Sequence, residues 1–214
     1  MSHSNEITYT CPYCGKQFPI TIYDTVNVRE DPDLRERCLS GDIFRHSCPH
    51  CHKDFMVQNP MLYEDPDKHF VLYVSQNDPG NTFKEAGEAL KKKGYRLRRV
   101  STIKEFTEKI SVFEDGMNDI AVELAKYDSF IEFINNRKGK PEDITSIDYQ
   151  YTHDDVMKIN IRTGDKGMSF LIPVSGIQEE MEENKQLYQI DDALFPCINQ
   201  DWIISLFSTP EGKA

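Results

Sequence analysis

The paired phrases Cys11-Pro12-Tyr13-Cys14-Gly15-Lys16 and Cys48-Pro49-His50-Cys51-His52-Lys53 constrain this chain more than any other feature. They share one spelling, and each is followed by an aromatic, Phe18 or Phe55. Two intervening residues let both thiolates of a hairpin turn toward one metal, and two such hairpins supply the four sulfurs of a tetrahedral zinc site. The proline after the first cysteine fixes the bend between ligands. Gly15 suits a knuckle position that needs a positive backbone angle. His52 stands at the matching place of the second knuckle, which histidine tolerates better than most residues. Cys11, Cys14, Cys48 and Cys51 are therefore the candidate ligands of one structural zinc ion. A pair of redox dithiols is the competing reading, because a single Cys-x-x-Cys is also the spelling of thioredoxin-like centres. Those centres begin a helix after a strand, whereas a lysine and then an aromatic follow here, which suits a hairpin.

The 33 residues between Cys14 and Cys48 exceed the usual ribbon spacing, and a short charged helix fills part of them. Asp31 is its expected N-cap, with Pro32 at the first helical position, Leu34 and Cys38 on one face and Gly41 as the stop. A lobe of about 60 residues is marginal on burial alone, and a structural zinc ion contributes roughly 10 to 16 kcal/mol of apparent binding energy. Residues 1–66 are thus expected to form a zinc-ribbon-like lobe.

Beyond it, residues 67–214 read as a second, α+β lobe. A strand at His69–Ser75 is followed by a turn, then by a helix over about 82–93 with Thr82 and Glu85 as a capping box. After a strand at Tyr95–Val100, a second capping box, Thr102 with Glu105, opens a helix over about 102–113 with Ile103, Phe106, Ile110 and Phe113 on one face. A longer amphipathic helix over about 117–136 carries Ile120, Leu124, Tyr127, Ile131 and Ile134. Alternation at Ile147/Tyr149/Tyr151, Met157/Ile159/Ile161 and Phe170/Ile172/Val174, with turns at Thr152–Asp155 and Thr163–Gly167, predicts a three-stranded antiparallel meander over about 144–174. Helices close the chain, one capped by Ser175 with Gln178, another presenting Trp202, Ile203, Leu206 and Phe207.

With the two Cys-Pro-x-Cys motifs at 11–14 and 48–51, the Asp31-Pro32 helix, the phrase Leu62-Tyr63-Glu64-Asp65-Pro66, and the stretch from Glu108-Lys109-Ile110 to Asp119, the chain resembles the CpXC family over about residues 7–135. The resemblance implies a metal-binding domain of bacteria or archaea and carries over no catalytic residue.

The remaining features point to binding rather than to catalysis. Four cysteines close a zinc site, whereas a catalytic zinc keeps an open position. No pair of carboxylates, Ser/His/Asp set or phosphate-cradling glycine loop stands out; Asp154-Asp155 and Asp191-Asp192 read as turn residues. His46, His50 and His52 are weighed as alternative ligands and read as solvated, and Cys38 and Cys197 as core thiols rather than reactive ones. Lys91, Lys92, Lys93, Arg96, Arg98 and Arg99 invite a nucleic-acid reading. However, lysines suit a helix end, the arginines fit a strand's polar face, and the net charge is -11. Residues 141–214 alone hold 14 acids against 5 bases. Nucleic acid is therefore a disfavoured partner; a protein partner is open, as is self-association. With no run of about 18 apolar residues and no signal peptide, the chain is expected in the cytoplasm and off the membrane. The expected function is a non-enzymatic, zinc-stabilised binding or regulatory module, with a thiol redox protein or another enzyme as the alternative.

Overall fold

A computed structural model describes residues 1–137, 139–152 and 154–208. It is a mixed α and β structure whose described residues divide into two compact units, 1–111 with 191–197 and 112–190 with 198–208. The boundary expected at residue 66 falls inside a sheet, between two strands paired with each other.

The first unit holds a five-stranded sheet. Strands β1 (His3–Thr10) and β2 (Gln17–Asn27) form an antiparallel hairpin around the first cysteine pair. A short helix α1 (Asp33–Leu39) and a 3-10 turn (Asp42–Phe44) lead to β3 (Arg45–Ser47) and β4 (Asp54–Met56), the hairpin around the second pair. Next come β5 (Met61–Asp65), β6 (Phe70–Val74), α2 (Lys84–Lys92), β7 (Arg96–Val100) and α3 (Ile103–Glu114). The sheet order is β1-β2-β5-β6-β7, parallel at β2/β5 and β6/β7 and antiparallel elsewhere. Strand β6 sits inside the sheet, and its Phe70, Val71, Leu72 and Val74 are all buried, the unbroken apolar pattern of a strand covered on both faces.

One face packs Tyr63 against Phe106 at 5.6 Å and 81°, with Phe44 edge-on to Phe106 and Phe70 stacked on Tyr63 at 5.7 Å. The other gathers Val71, Leu97 and Phe195 with Leu62, Tyr73, Phe83 and Leu90. Asp65, in the family-like phrase before β6, is buried with its carboxylate accepting the Asp67 and Lys68 N–H groups, which bends the chain back into the antiparallel strand.

Local expectations at the helix starts divide. Thr102 accepts the Glu105 N–H, and the Glu105 carboxylate takes the Ser101 N–H, so the second box closes as a reciprocal pair shifted by one donor. The others are corrected. Asp31 gives its carboxylate to the Ser2 N–H, and the residue before α1 is Pro32 with no side-chain cap. Phe83, not Thr82, precedes α2, and it too lacks a side-chain cap. Helix α5 (Val174–Glu183) follows directly on Pro173, which leaves Ser175 inside it. In each case strand pairing or tertiary packing set where the helix starts.

Residues 191–197 return to the first unit and lie on α2 and β7. Asp192 accepts from Arg98 at 2.5 Å, and Asp191 pairs with Lys91 at 2.7 Å while capping its own 3-10 turn through the Ala193 N–H. Arg98 is thus buried rather than on a polar strand face, and Asp191-Asp192 is a clip rather than a plain turn. A Cβ added to Gly87 of α2 would lie 2.2 Å from the Ala193 carbonyl oxygen, so the clip needs a glycine there.

In the second unit α4 (Asp119–Asn135) is capped by Asn118, whose side chain accepts the Ile120 N–H. It packs against β9 (Val156–Thr163), the middle strand of the meander with β8 (Ser146–Tyr151) and β10 (Lys166–Pro173), and against α5 and α6 (Gln200–Phe207). Met157, Ile159 and Ile161 of β9 are buried, as the alternation predicts. His153, in the turn before β9, lies outside the described residues. The simple amphipathic stripe expected for α4 is corrected: Asp119, Glu123 and Lys126 are buried beside Ile120 and Leu124, with Lys126 bonded to Glu123 at 3.2 Å, while Ile131 is exposed. In α6, Ile203 is fully buried and Phe207 stacks on Tyr127 at 4.9 Å.

Two outcomes follow from this packing. Gly87→Ala, which would favour an isolated helix by about 1 kcal/mol, is expected here to destabilise by about 1–3 kcal/mol in denaturant titration, because backbone stands where the methyl must go. Asp128 is half-buried, and burial together with the nearby Glu180 charge raises its carboxyl to about 6. The folded state therefore holds this proton more tightly than the unfolded chain, and stability is lost as pH rises through about 4 to 6. Asp128→Asn is expected to raise stability at pH 7.5 by about 1–2 kcal/mol, discounted for remaining solvent, and to change little at pH 4, as read by thermal melts at both pH values.

Candidate metal centre

The two cysteine knuckles are built alike. In the first, Cys11 N donates to Lys16 O at 2.9 Å and Gly15 N to Cys11 O at 3.0 Å. In the second, Cys48 N donates to Lys53 O at 3.0 Å and His52 N to Cys48 O at 2.9 Å. Tyr13 N and His50 N each point at the first sulfur of their knuckle, at 3.4 Å. The proline after that cysteine presents no competing donor, and the tight turn needs a left-handed residue, supplied by Gly15 at φ 71° and by His52 at φ 58°.

The hairpins face each other with their sulfurs inward. All four Sγ atoms lie within 4.8 Å of one another, and two approaches between the hairpins, Cys11 to Cys51 and Cys14 to Cys48, are 3.7 Å each. With metal–sulfur bonds of about 2.3 Å, the edges of a tetrahedron are about 3.8 Å, so the four sulfurs could hold one metal ion with little adjustment. All six cysteines are free thiols. Cys11 and Cys48 are buried against Phe18, Ile20 and Phe55, Cys51 is partly covered, and Cys14 is exposed. Tyr9 stacks on Phe55 at 5.3 Å, and Phe18 meets it edge-on at 6.1 Å. The aromatic that follows each motif is therefore the wall of the sulfur cluster.

Proton affinities within the cluster are uneven. Burial opposes ionisation of Cys48, but the Cys51 and His50 N–H groups and the neighbouring thiols outweigh it and bring that thiol down to about 6. For Cys51 the Lys53 N–H works downward, yet burial and the surrounding sulfurs push it up to about 11. Four thiols this close share their protons, and a divalent cation would relieve the competition.

Other candidates sit apart from this set. His50 lies edge-on to Phe18, His52 takes the turn position, and His46 tilts against Phe55 with its Nε2 buried and unpartnered. Cys38 is fully buried, which pushes its thiol up to about 12. Cys197 is half-covered, with burial raising its thiol. Of the basic stretch, Lys91 and Arg98 are engaged by the clip, and Arg99 bonds Ser75 O and the Ser101 hydroxyl. Among the described residues no helix is long and apolar enough to cross a membrane.

A family model for the CpXC protein matches residues 9–126, more than half of the chain, and takes in both motifs. The chain belongs to the CpXC family. Neither the curated proteins nor the solved structures include a match. The family-matched span of this CpXC chain contains the sulfur cluster, the α1 bridge and the turn built on Asp65.

The two knuckles differ at one strained position. His52→Gly removes a side chain from a left-handed residue and is expected to stabilise the CpXC fold by about 0.5–1 kcal/mol, net of the entropy glycine adds to the unfolded chain. Comparative denaturant midpoints check this, and a loss of stability would mean that the His52 side chain makes a contact worth more than the strain.

Proposed function

We propose that Cys11, Cys14, Cys48 and Cys51 hold one zinc ion, and that this CpXC protein is a non-enzymatic binding or regulatory module whose shape the metal maintains. The carrying observation is the convergence of four sulfurs from two turns 33 residues apart onto one point. Four thiolates in tetrahedral array suit zinc, which has no redox chemistry and no geometric demand of its own. Such a site is closed: with every position taken by sulfur, none is left for a water or substrate. Placement on hairpin turns rather than helix starts weighs against the thiol redox alternative. A reducing, cytoplasmic setting would keep the thiols available to the metal.

Native mass spectrometry of protein made in zinc-containing medium is expected to show one zinc per chain, released on denaturation with every thiol reduced. Cys48→Ser is expected to weaken zinc by more than about 100-fold. Chelation is expected to unfold at least the two hairpins, since roughly 10 to 16 kcal/mol of binding energy exceeds what a core this small supplies. A metal-free mass short by pairs of hydrogens would sink the zinc reading in favour of disulfide chemistry.

A further inference from the structure

Between the two hairpins, on the side of the knuckles nearer α1, a groove of about 550 Å³ runs between β2 and β3. Its walls include Pro19, Thr21, Arg37, Arg45, His46 and Ser47. Both strands turn a free edge to it. Strand β2 pairs with β1 between Gln17 and Thr25 and with β5 only at Thr25–Asn27, and the Tyr23 carbonyl accepts the Asn59 side-chain N–H, so among the described residues its other edge is open from Gln17 to Ile22. Among the described residues strand β3 pairs with β4 alone. No main-chain hydrogen bond joins β2 to β3 among the described residues.

Register says which groups face the opening. The Cys11–Lys16 bond, continued in alternation down the antiparallel pair, turns the main-chain groups of Phe18, Ile20 and Ile22 toward β1 and those of Pro19 and Thr21 outward. The Cys48–Lys53 and Phe44–Val57 bonds likewise turn His46 toward β4 and leave the Ser47 N–H and C=O and the Arg45 C=O outward. Pro19 offers an acceptor and no donor, as is usual for an unpaired edge. Two edges thus present an acceptor at Pro19, a donor and acceptor at Thr21, and the same at Ser47 across the gap. Neighbouring strands lie about 4.8 Å apart, so a strand that enters the groove at that spacing bonds to the edge it lines.

The groove's charge names the occupant. Among the described residues its lining carries two guanidiniums and no carboxylate, in a chain of net charge -11. Arg37 is held over the Tyr23 ring at 5.6 Å, and Arg45, paired with Asp42 on one side, is half-exposed. The buried, unpartnered His46 Nε2 belongs to the same wall. We infer that this groove takes an extended, acidic peptide segment of a partner protein, added as a strand between β2 and β3 with its carboxylates on Arg37 and Arg45. The inference rests on the reading of this protein as a binding module, whose partner it describes: main-chain pairing supplies general affinity and the guanidiniums select acidic side chains.

The test is a titration of isotope-labelled full-length protein with an acetylated, amidated octapeptide alternating Glu and Val, beside a Lys/Val counterpart and a single-stranded oligonucleotide. Zinc content is read by native mass on the same sample. Saturable binding of the Glu peptide is expected, with slowed hydrogen exchange at the Thr21 and Ser47 amides. R37Q/R45Q, which keeps side-chain bulk, is expected to weaken it at least tenfold without changing zinc content or the amide spectrum elsewhere. The Lys peptide is expected not to bind. Equal binding of both peptides, preference for the oligonucleotide, binding that leaves those two amides unprotected, or no binding at millimolar peptide would each overturn the proposal. Zinc present with no peptide bound is a failure of the groove alone, whereas a folded sample without zinc is a failure of the metal reading.

Discussion

Four sulfurs brought within 4.8 Å of one another set the terms for everything around them. The two knuckles come from distant turns, so the chain between them must carry β2 away, turn through α1 and the following 3-10 helix, and deliver β3 antiparallel to β4 beside the first hairpin. Strand β2 makes the junction. Its first residues build one side of the cysteine cluster, and its last three, Thr25–Asn27, pair with β5. The sulfur cluster is therefore an extension of the sheet rather than an appended bead. The small core around it, Phe18, Ile20 and Phe55 with two of the sulfurs, has little else to hold the hairpins face to face.

Divergence of β2 from β3 follows from the same arrangement. Held together at the knuckle tips, the two hairpins have unpaired edges behind the tips, and β5 takes up β2 only from Thr25 onward. The result is a surface with donors, acceptors and two arginines but no strand of its own. A chain rich in acids whose described residues line the groove without a carboxylate differs there from its own average, and this contrast gives the groove its chemical direction.

The far side of the sheet depends on a different device. Arg98 can be buried because Asp192 arrives from 94 residues later to meet it, and Asp192 can approach because Gly87 has no side chain. An unpaired guanidinium in that position would lose hydration without return. The clip thus closes one face over Val71, Leu97 and Phe195, and it places residues near the C-terminus in a unit formed mainly by the N-terminal half.

Much of this could be read from residues alone, and the readable part is local. Ligand spacing, the proline after each first cysteine, the left-handed requirement at Gly15 and His52, and the alternation of Met157, Ile159 and Ile161 all concern groups a few positions apart, where covalent geometry and periodicity act directly. Capping at Thr102 with Glu105 is local too, and it holds; at Asp31, Thr82 and Ser175 a distant strand or packing contact overrode the same kind of signal. What only the tertiary structure decided is where segments far apart in the chain meet: the order β1-β2-β5-β6-β7, the return of residues 191–197, the burial of Arg98, Glu123 and Lys126, and the open groove between β2 and β3. Local pattern assigns a charged side chain to water by default. Whether a partner arrives to make burial affordable is determined by chain segments that no short window contains.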